Sequence, residues 1–489
     1  MKTFDVGIIG GGVIGSAIAR ELSKYTIDVA VFEKGCDVAS GSSKANSGVV
    51  HSGINSPAGS LKARFCVQGN TMFNDLAKDL GILVKWVGKY HIAKNAGEVS
   101  KLEKLKNVGL KNGVPGLNII DGEEIKKKER NVSCHSALWV PTAGIVSPYE
   151  FTIALAENAA VNKVSFFLET KVVDIKKQKD FFQIFTNKGE YQAKILVNAA
   201  GVDCRNIVSM VEKPNFNIYP CRGEYLVLDK KCSSLIHSMI YPVPVKELGV
   251  LGVHITPTTE GNIIIGPSAE FIEDPYDKMT TKDMMKTLMN EAQDIIPKLS
   301  NDFVINAYSG IRCKLASSDA GGWADFRIEE STINPGMINL LGIESPGLTA
   351  ALVIAKEIKT MVLNHMPLKN KDRFKKRKQV KRFVDLSVSE QKKLIEKDSR
   401  WGRVVCRCEH ITEAEVINAL CNPLGATSLS SVKYRCRAGM GRCQGGFCTQ
   451  HIIRIMEKQF KLNIESMKLK SSESYLFTGR NREVKDEKN

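Results

Sequence analysis

Residues Phe4 to Ile9 form a short apolar run that leads directly into Gly10-Gly11-Gly12-Val13-Ile14-Gly15 and then into an amphipathic stretch reaching about Lys24. The pattern predicts a strand, a tight turn and a helix. A second apolar run, Asp28 to Phe32, predicts another strand ending in Glu33, 23 residues after Gly10. In such a unit Gly10 permits the turn, Gly12 lets a pyrophosphate approach the backbone at the positive helix end, and Gly15 lets helix and strand pack closely. Glu33 stands where an acid accepts both ribose hydroxyl protons. Gly10, Gly12, Ile14, Gly15 and Glu33 are therefore candidate contacts to a dinucleotide.

Three later stretches extend the pattern. Val172 to Ile175 reads as a strand, and Leu196-Val197-Asn198-Ala199-Ala200-Gly201 as a strand closing on a glycine turn. Ile338 to Leu341 runs into Gly342-Ile343-Glu344-Ser345-Pro346-Gly347-Leu348-Thr349 and an Ala-rich helix, which sets a helix N-terminus at a loop. Between these pieces, about 86–144 and 216–330, short β-like runs such as Gly223 to Leu228 and Gly261 to Ile265 predict a mixed sheet that roofs the cofactor and supplies a substrate pocket. The dinucleotide part is thus discontinuous, about 1–85, 145–215 and 331–365.

A chain of 489 residues with 43% hydrophobic and 25% charged positions excludes collagen-like, fibrous and disordered classes. No apolar stretch approaches the ~20 residues of a membrane-spanning helix. The N-terminus enters a strand without a signal-peptide core, so a cytoplasmic address is the expectation. The net charge of +16 is concentrated in part between Lys369 and Arg382, where nine basic residues face one acid, Asp372. Within 366–400 this run reads as a solvated linker, or else as a docking strip for an acidic partner. Nothing resembles an aromatic-studded nucleic-acid platform, so no nucleic-acid partner is expected.

The segment Ser42 to Ile54 is rich in small residues and suits the face of a flavin better than that of a nicotinamide. From here the chain, over about residues 4 to 362, resembles the FAD-dependent amino acid and hydroxy acid oxidoreductases, specifically their glycerol-3-phosphate and L-2-hydroxyglutarate dehydrogenase branches. The resemblance implies FAD as cofactor, held also by Ser42, Ser43, Asn46, Ser47 and Gly48. Val172 would lie beside the adenine, Gly201 at the second flavin-contacting junction, and Gly347, Leu348 and Thr349 at a helix end that stabilises charge on the reduced flavin. His51 is the expected base, since an ordinary imidazole titrates near ~6.5. Arg312 would hold a small anionic substrate, with Ser47, Arg222 and His254 as further substrate contacts, although Arg222 reads almost as well as a structural ion pair and His254 as a cross-strand partner. Glycerol-phosphate members carry a lysine where Leu251 stands here, and the Leu-Gly-Val-His-x-Thr pattern ending at Thr256 is closer to L-2-hydroxyglutarate dehydrogenases. A 2-hydroxy acid oxidised to the 2-oxo acid is therefore expected first, and sn-glycerol 3-phosphate second.

Of thirteen cysteines, four form a CxC and a CxxxxC near the C-terminus: Cys406, Cys408, Cys443 and Cys448. Two close thiolate pairs suit an iron–sulfur cluster or a zinc ion, and spacing does not separate these. The Gly-rich loop 437–448 favours a cluster, because its amides can hydrogen-bond sulfides. Segment 404–460 resembles the bacterioferritin-associated ferredoxin-like [2Fe–2S] domain. Cys421 and Cys436 read as buried thiols. An appended one-electron centre implies a dehydrogenase that exports electrons to an acceptor protein or quinone-linked partner, or an electron-transfer subunit serving a partner subunit that oxidises an amine or hydroxy acid. The expected fold is α/β, a Rossmann-like FAD-binding domain with an inserted mixed-sheet substrate domain, plus a small helical [2Fe–2S]-binding domain at 401–462 and a tail at 463–489, mobile after about Ser471.

Overall fold

The computed structural model describes residues 1–244, 252–378 and 381–479. The Leu251 comparison and the end of the tail, 480–489, lie outside the described residues. A central parallel sheet runs in the spatial order Ser165–Phe167, Val29–Phe32, Lys2–Ile9, Gly189–Asn198 and Met337–Leu341. Its strands are apolar on both faces because both are covered, as parallel sheets require. Helices Val13–Leu22, Pro148–Val161 and Gly347–Leu363 pack one face through Ile8, Ile18, Leu155 and Ile354. The other face carries Phe4, Phe32 and Phe167 in one cluster with Ile207 and Val208 of helix Cys204–Ser209, and the antiparallel strands Val172–Lys177 and Phe182–Thr186 extend the same sheet from Gly189–Asn198. The α/β Rossmann-like expectation is thus met.

A second, mixed sheet supplies the roof. Strand Lys89–Ala93 lies at its middle between Ser136–Val140 and Met239–Pro242, and the long pair Tyr219–Leu228 and Val304–Lys314 forms its far side. Helix Lys282–Gln293 and the core around Tyr90, Leu226 and Leu288 back one face. The opposite face turns toward the loop that carries His51.

The cysteine-rich region folds as helices Glu413–Leu420, Leu429–Cys436 and Cys448–Phe460 behind a short β-ladder. The Thr412–Glu415 capping box is present with both of its hydrogen bonds, as the sequence predicts. The stretch before it is largely exposed, as a solvated linker would be, but parts of it are tied to the dinucleotide domain. Arg377 pairs with Glu157 at 2.8 Å, Lys376 with Asp79 at 2.9 Å, and the Lys375 carbonyl accepts from Asn158 and Asn162. Acids of the same chain thus pair with part of the strip, and Val388–Lys397 is a capped helix. The tail departs from the mobile one expected, since residues 467–476 fold back on themselves and pack against the chain, with Met467 buried.

Candidate functional site

The first glycine turn is fixed by close approach. Gly10 adopts a φ of +107°, and a Cβ there would meet the Ala199 carbonyl oxygen at 2.5 Å, while one on Gly15 would meet the Gly10 oxygen at 1.9 Å. Gly10, Gly12, Ile14, Glu33, Ser42, Ser43, Asn46, Ser47 and Gly201 line one cleft of about 1240 Å³. The buried Glu33 carboxylate accepts from the Gly11 and Gly35 amides, each at 2.7 Å. Burial raises its pKa, while those amides pull the other way. Ser43 Oγ accepts from the Val13 amide at 2.8 Å, which ties the small-residue loop to the helix N-terminus. Asn46 closes that loop on the Ser42 and Ser43 carbonyls and accepts from the Gly48 amide. Val172 is buried in its strand, and its neighbour Lys171 lines the cleft. The cleft's size, glycine turn and buried acid fit a dinucleotide.

His51 follows strand Val49–Val50, which pairs with cleft-lining Gly144–Val146. Its amide donates to Thr349 Oγ1 at 2.9 Å, and its carbonyl accepts from Asn70 at 3.0 Å, so the first turn of Gly347–Leu363 and the helix Leu61–Leu80 clamp the backbone. Gly347 and Leu348 belong to that first turn. The imidazole Nε2 stands 3.3 Å from Ser345 Oγ. Burial, and next the charge of Lys89, push the His51 pKa down to about 3, so the ring is neutral at pH 7 but a weaker base than the ordinary imidazole expected from the sequence.

Arg312 projects from Val304–Lys314 across Gly223, where a Cβ would meet its Nη2 at 2.8 Å. Nη2 donates to the Ser268 carbonyl at 3.1 Å. Burial opposes the charge, but Tyr225, Cys221 and Glu344 outweigh it and keep the guanidinium ionised. Arg222 requires a correction. One residue from Cys221, it points to the other face of the sheet, where its guanidinium binds Glu270 and Asp277 at 2.6 Å each. It is a structural ion pair and leaves the substrate set.

His254 is buried and stacks on Tyr241, with centroids 3.9 Å apart. Burial first, and then the charges of His51, Lys89 and Arg312, hold its pKa well below the ordinary value, so these four groups converge on one region. Lys89 and Ser345 are the residues that sequence reasoning missed. Lys89 is fully buried, its Nζ has no hydrogen-bond partner among the described residues, and it lies 4.7 Å from the Tyr241 ring centroid. Burial lowers its pKa to about 7. The available signal was a lysine inside the otherwise buried strand Lys89–Ala93.

In the C-terminal module Cys408 Sγ and Cys443 Sγ are 3.6 Å apart, and Cys406 hydrogen-bonds Cys448. The Cys448 thiol, and then the amides of Gly439, Glu409 and Cys408, bring the Cys406 pKa to about 6. A Cβ on Gly441 would meet Cys408 Cβ at 2.2 Å, so the Gly-rich loop is what lets the thiols approach. Amide donors around a pair of thiol pairs fit a [2Fe–2S] cluster. Cys406 and Cys448 are buried whereas Cys408 is exposed, and exposed Phe447 lies beside them; Cys436 is buried as expected, but Cys421 is exposed, against the buried thiol expected from the sequence. Residues Gly439, Met440, Gln444 and Gly445 line the same cleft as Gly10 and Glu33. Arg437 holds this contact, bonding Tyr149 Oη and Glu409 at 2.9 Å each. The buried edge of the cysteine module therefore adjoins the dinucleotide cleft.

Residues 5–361 match the family described as FAD dependent oxidoreductase, and residues 404–458 match the BFD-like [2Fe-2S] binding domain. The chain is 40% identical to a glycerol 3-phosphate dehydrogenase of Caloramator mitchellensis, over 97% of this chain and 98% of that one. It is 30% identical to the mitochondrial L-2-hydroxyglutarate dehydrogenase of Arabidopsis thaliana, over 72% of this chain and 82% of that one. Among solved structures, the L-alpha-glycerophosphate oxidase of Mycoplasma pneumoniae with FAD bound superposes with a TM-score of 0.71 at 29% identity, covering 76% of this chain and 98% of that one. FAD and a [2Fe–2S] cluster are thus the cofactors. No helix among the described residues is long and apolar enough to cross a membrane.

Proposed function

The chain belongs to the FAD dependent oxidoreductase family, and from that premise we propose that it oxidises the secondary alcohol of a small metabolite bearing two negative charges, with electrons leaving through the cysteine module to a separate acceptor. The observation that carries this reading is the ammonium of Lys89, which has only the Tyr241 ring face and no hydrogen bond or ion pair among the described residues, buried in the region where His51, His254 and Arg312 converge. A buried cation without an ion pair is costly, and an anionic ligand group repays that cost.

Bound FAD supplies the hydride acceptor. Neutral His51 takes the hydroxyl proton at Nε2, with its backbone held by Thr349 and Asn70. Arg312 and Lys89 hold the two anionic groups, and His254 lines the pocket between them. Cys406, Cys408, Cys443 and Cys448 hold the cluster. The convergence of a base with two cations supports substrate chemistry on this chain over a purely electron-relaying subunit.

An L-2-hydroxyglutarate-like acid fits two cations, and the relatives matched over the flavin region support it. sn-Glycerol 3-phosphate is favoured by a different observation. The Caloramator enzyme named for it matches the flavin region and the cysteine module together. Anaerobic mixing of the holoenzyme with each compound separately decides. One of the two dianions is expected to bleach the flavin while uncharged glycerol leaves it yellow, and no bleaching by either would overturn the reading.

The two titrations give a further expectation. The imidazole stays neutral down to about pH 3, so kcat/KM shows no fall near the ordinary histidine value of 6.5. Lys89 loses its proton as pH rises through about 7 in the free enzyme, so KM rises on the alkaline side. Lys89→Met should raise KM about 10- to 100-fold, the range for losing a charged hydrogen bond, and abolish that alkaline limb. A KM indifferent to both pH and substitution would remove Lys89 from the pocket.

A further inference from the structure

The two family matches end at residues 361 and 458, yet the cofactor cleft does not end there. Leu469, Lys470, Ser471, Ser472 and Glu473 line the same cleft as Gly10, Glu33 and Lys34. They are held there from both directions. On the module side, the Lys468 and Leu469 carbonyls accept from the Leu429 and Ser430 amides at 3.0 and 2.9 Å, and Met467 is buried in the module core. On the sheet side, Ser472 Oγ donates to the Lys34 carbonyl at 3.0 Å, and Lys468 forms an ion pair with Glu169. The segment Thr170-Glu169 is itself stitched to Glu33 and Gly35 through amide–carbonyl bonds of 2.8 Å. The hairpin closes on itself through the Leu469 amide to the Ser474 carbonyl at 2.8 Å.

We infer that residues 467–476 form an outer wall of the FAD site, closing over the Glu33 end of the cleft and adding Lys470 to the cations that face the adenosine diphosphate half of the cofactor. The charge pattern agrees. Lys470 acts on both Lys44 and Lys278, two further cleft-lining lysines, and burial together with such neighbours brings the Lys44 pKa to about 8. Asp37, Asp203 and Glu33 offset part of the repulsion among these ammonium groups, and a dianionic group such as a pyrophosphate would offset more of it. The segment also ties the cysteine module to the dinucleotide sheet across the cofactor, so release of FAD requires the wall to open.

The test uses the full chain with both cofactors. Lys470→Glu, an exposed position that the fold does not depend on, and the double variant Lys468→Ala/Lys470→Glu are compared with the parent. FAD release is followed by recovery of free-flavin fluorescence after dilution, and ADP affinity by titration of the flavin-free protein. Both variants should release FAD about 10-fold faster and bind ADP about 10-fold more weakly, the scale of one charge-assisted contact. The cluster absorption should be unchanged, which shows that the module remains folded. If the double variant loses the cluster, the single variant decides. Unchanged FAD release in Lys470→Glu, or faster release with unaltered ADP affinity, would overturn the assignment.

Discussion

In a His51→Gln variant the protein is expected to stay yellow and to reduce its flavin with substrate about 100-fold or more slowly, the usual cost of losing a general base. Glutamine keeps a polar side chain of similar reach, and the backbone clamps from Thr349 and Asn70 are untouched. Binding of substrate should therefore persist while proton acceptance fails. Stopped-flow absorbance under anaerobic conditions reads the effect directly. An unaltered rate would exclude His51 as the base. A variant that emerged colourless would instead show that His51 serves the cofactor.

The second large effect concerns the route out. Cys406→Ser should abolish the cluster's visible and paramagnetic signals and halt reduction of an external one-electron acceptor protein, while substrate still bleaches the flavin at the parent rate. The separation follows from the placement of the thiols, which touch one another and the loop 439–448 but none of the groups around His51. Cys436→Ser is the matching control. Its buried thiol donates to the Val432 carbonyl at 3.2 Å, as in an ordinary helix, and its loss should leave the cluster in place. If Cys406→Ser retained the cluster and Cys436→Ser lost it, the assignment of ligands would be wrong.

The legible parts of the site were those in which local spacing and function coincide. The Gly10–Gly15 turn, the acid ending the second strand and the two cysteine pairs each place a chemical requirement within a few residues of chain. The same holds for the capping box at Thr412. Arg222 and Lys89 show the opposite case. Both are cations in β-strands, and only the pleat and register of the mixed sheet send one to acids on the far face and the other, without an ion pair among the described residues, toward His51. The ion pairs of the basic run before the module are hidden from the sequence for a related reason. A charge run looks solvated until its acids are found, and Glu157 and Asp79 are more than two hundred residues away in sequence.

The amino-acid sequence by itself determined the fold class, the dinucleotide turn and the two thiol pairs, because each rests on short-range geometry, and its resemblance to known families added the identity of the two cofactors. Which cations stand near His51, how the cysteine module borders the cleft, and that residues 469–473 line it were decided only in three dimensions. These depend on contacts between segments hundreds of residues apart, where burial and charge are set by neighbours that no local pattern encodes.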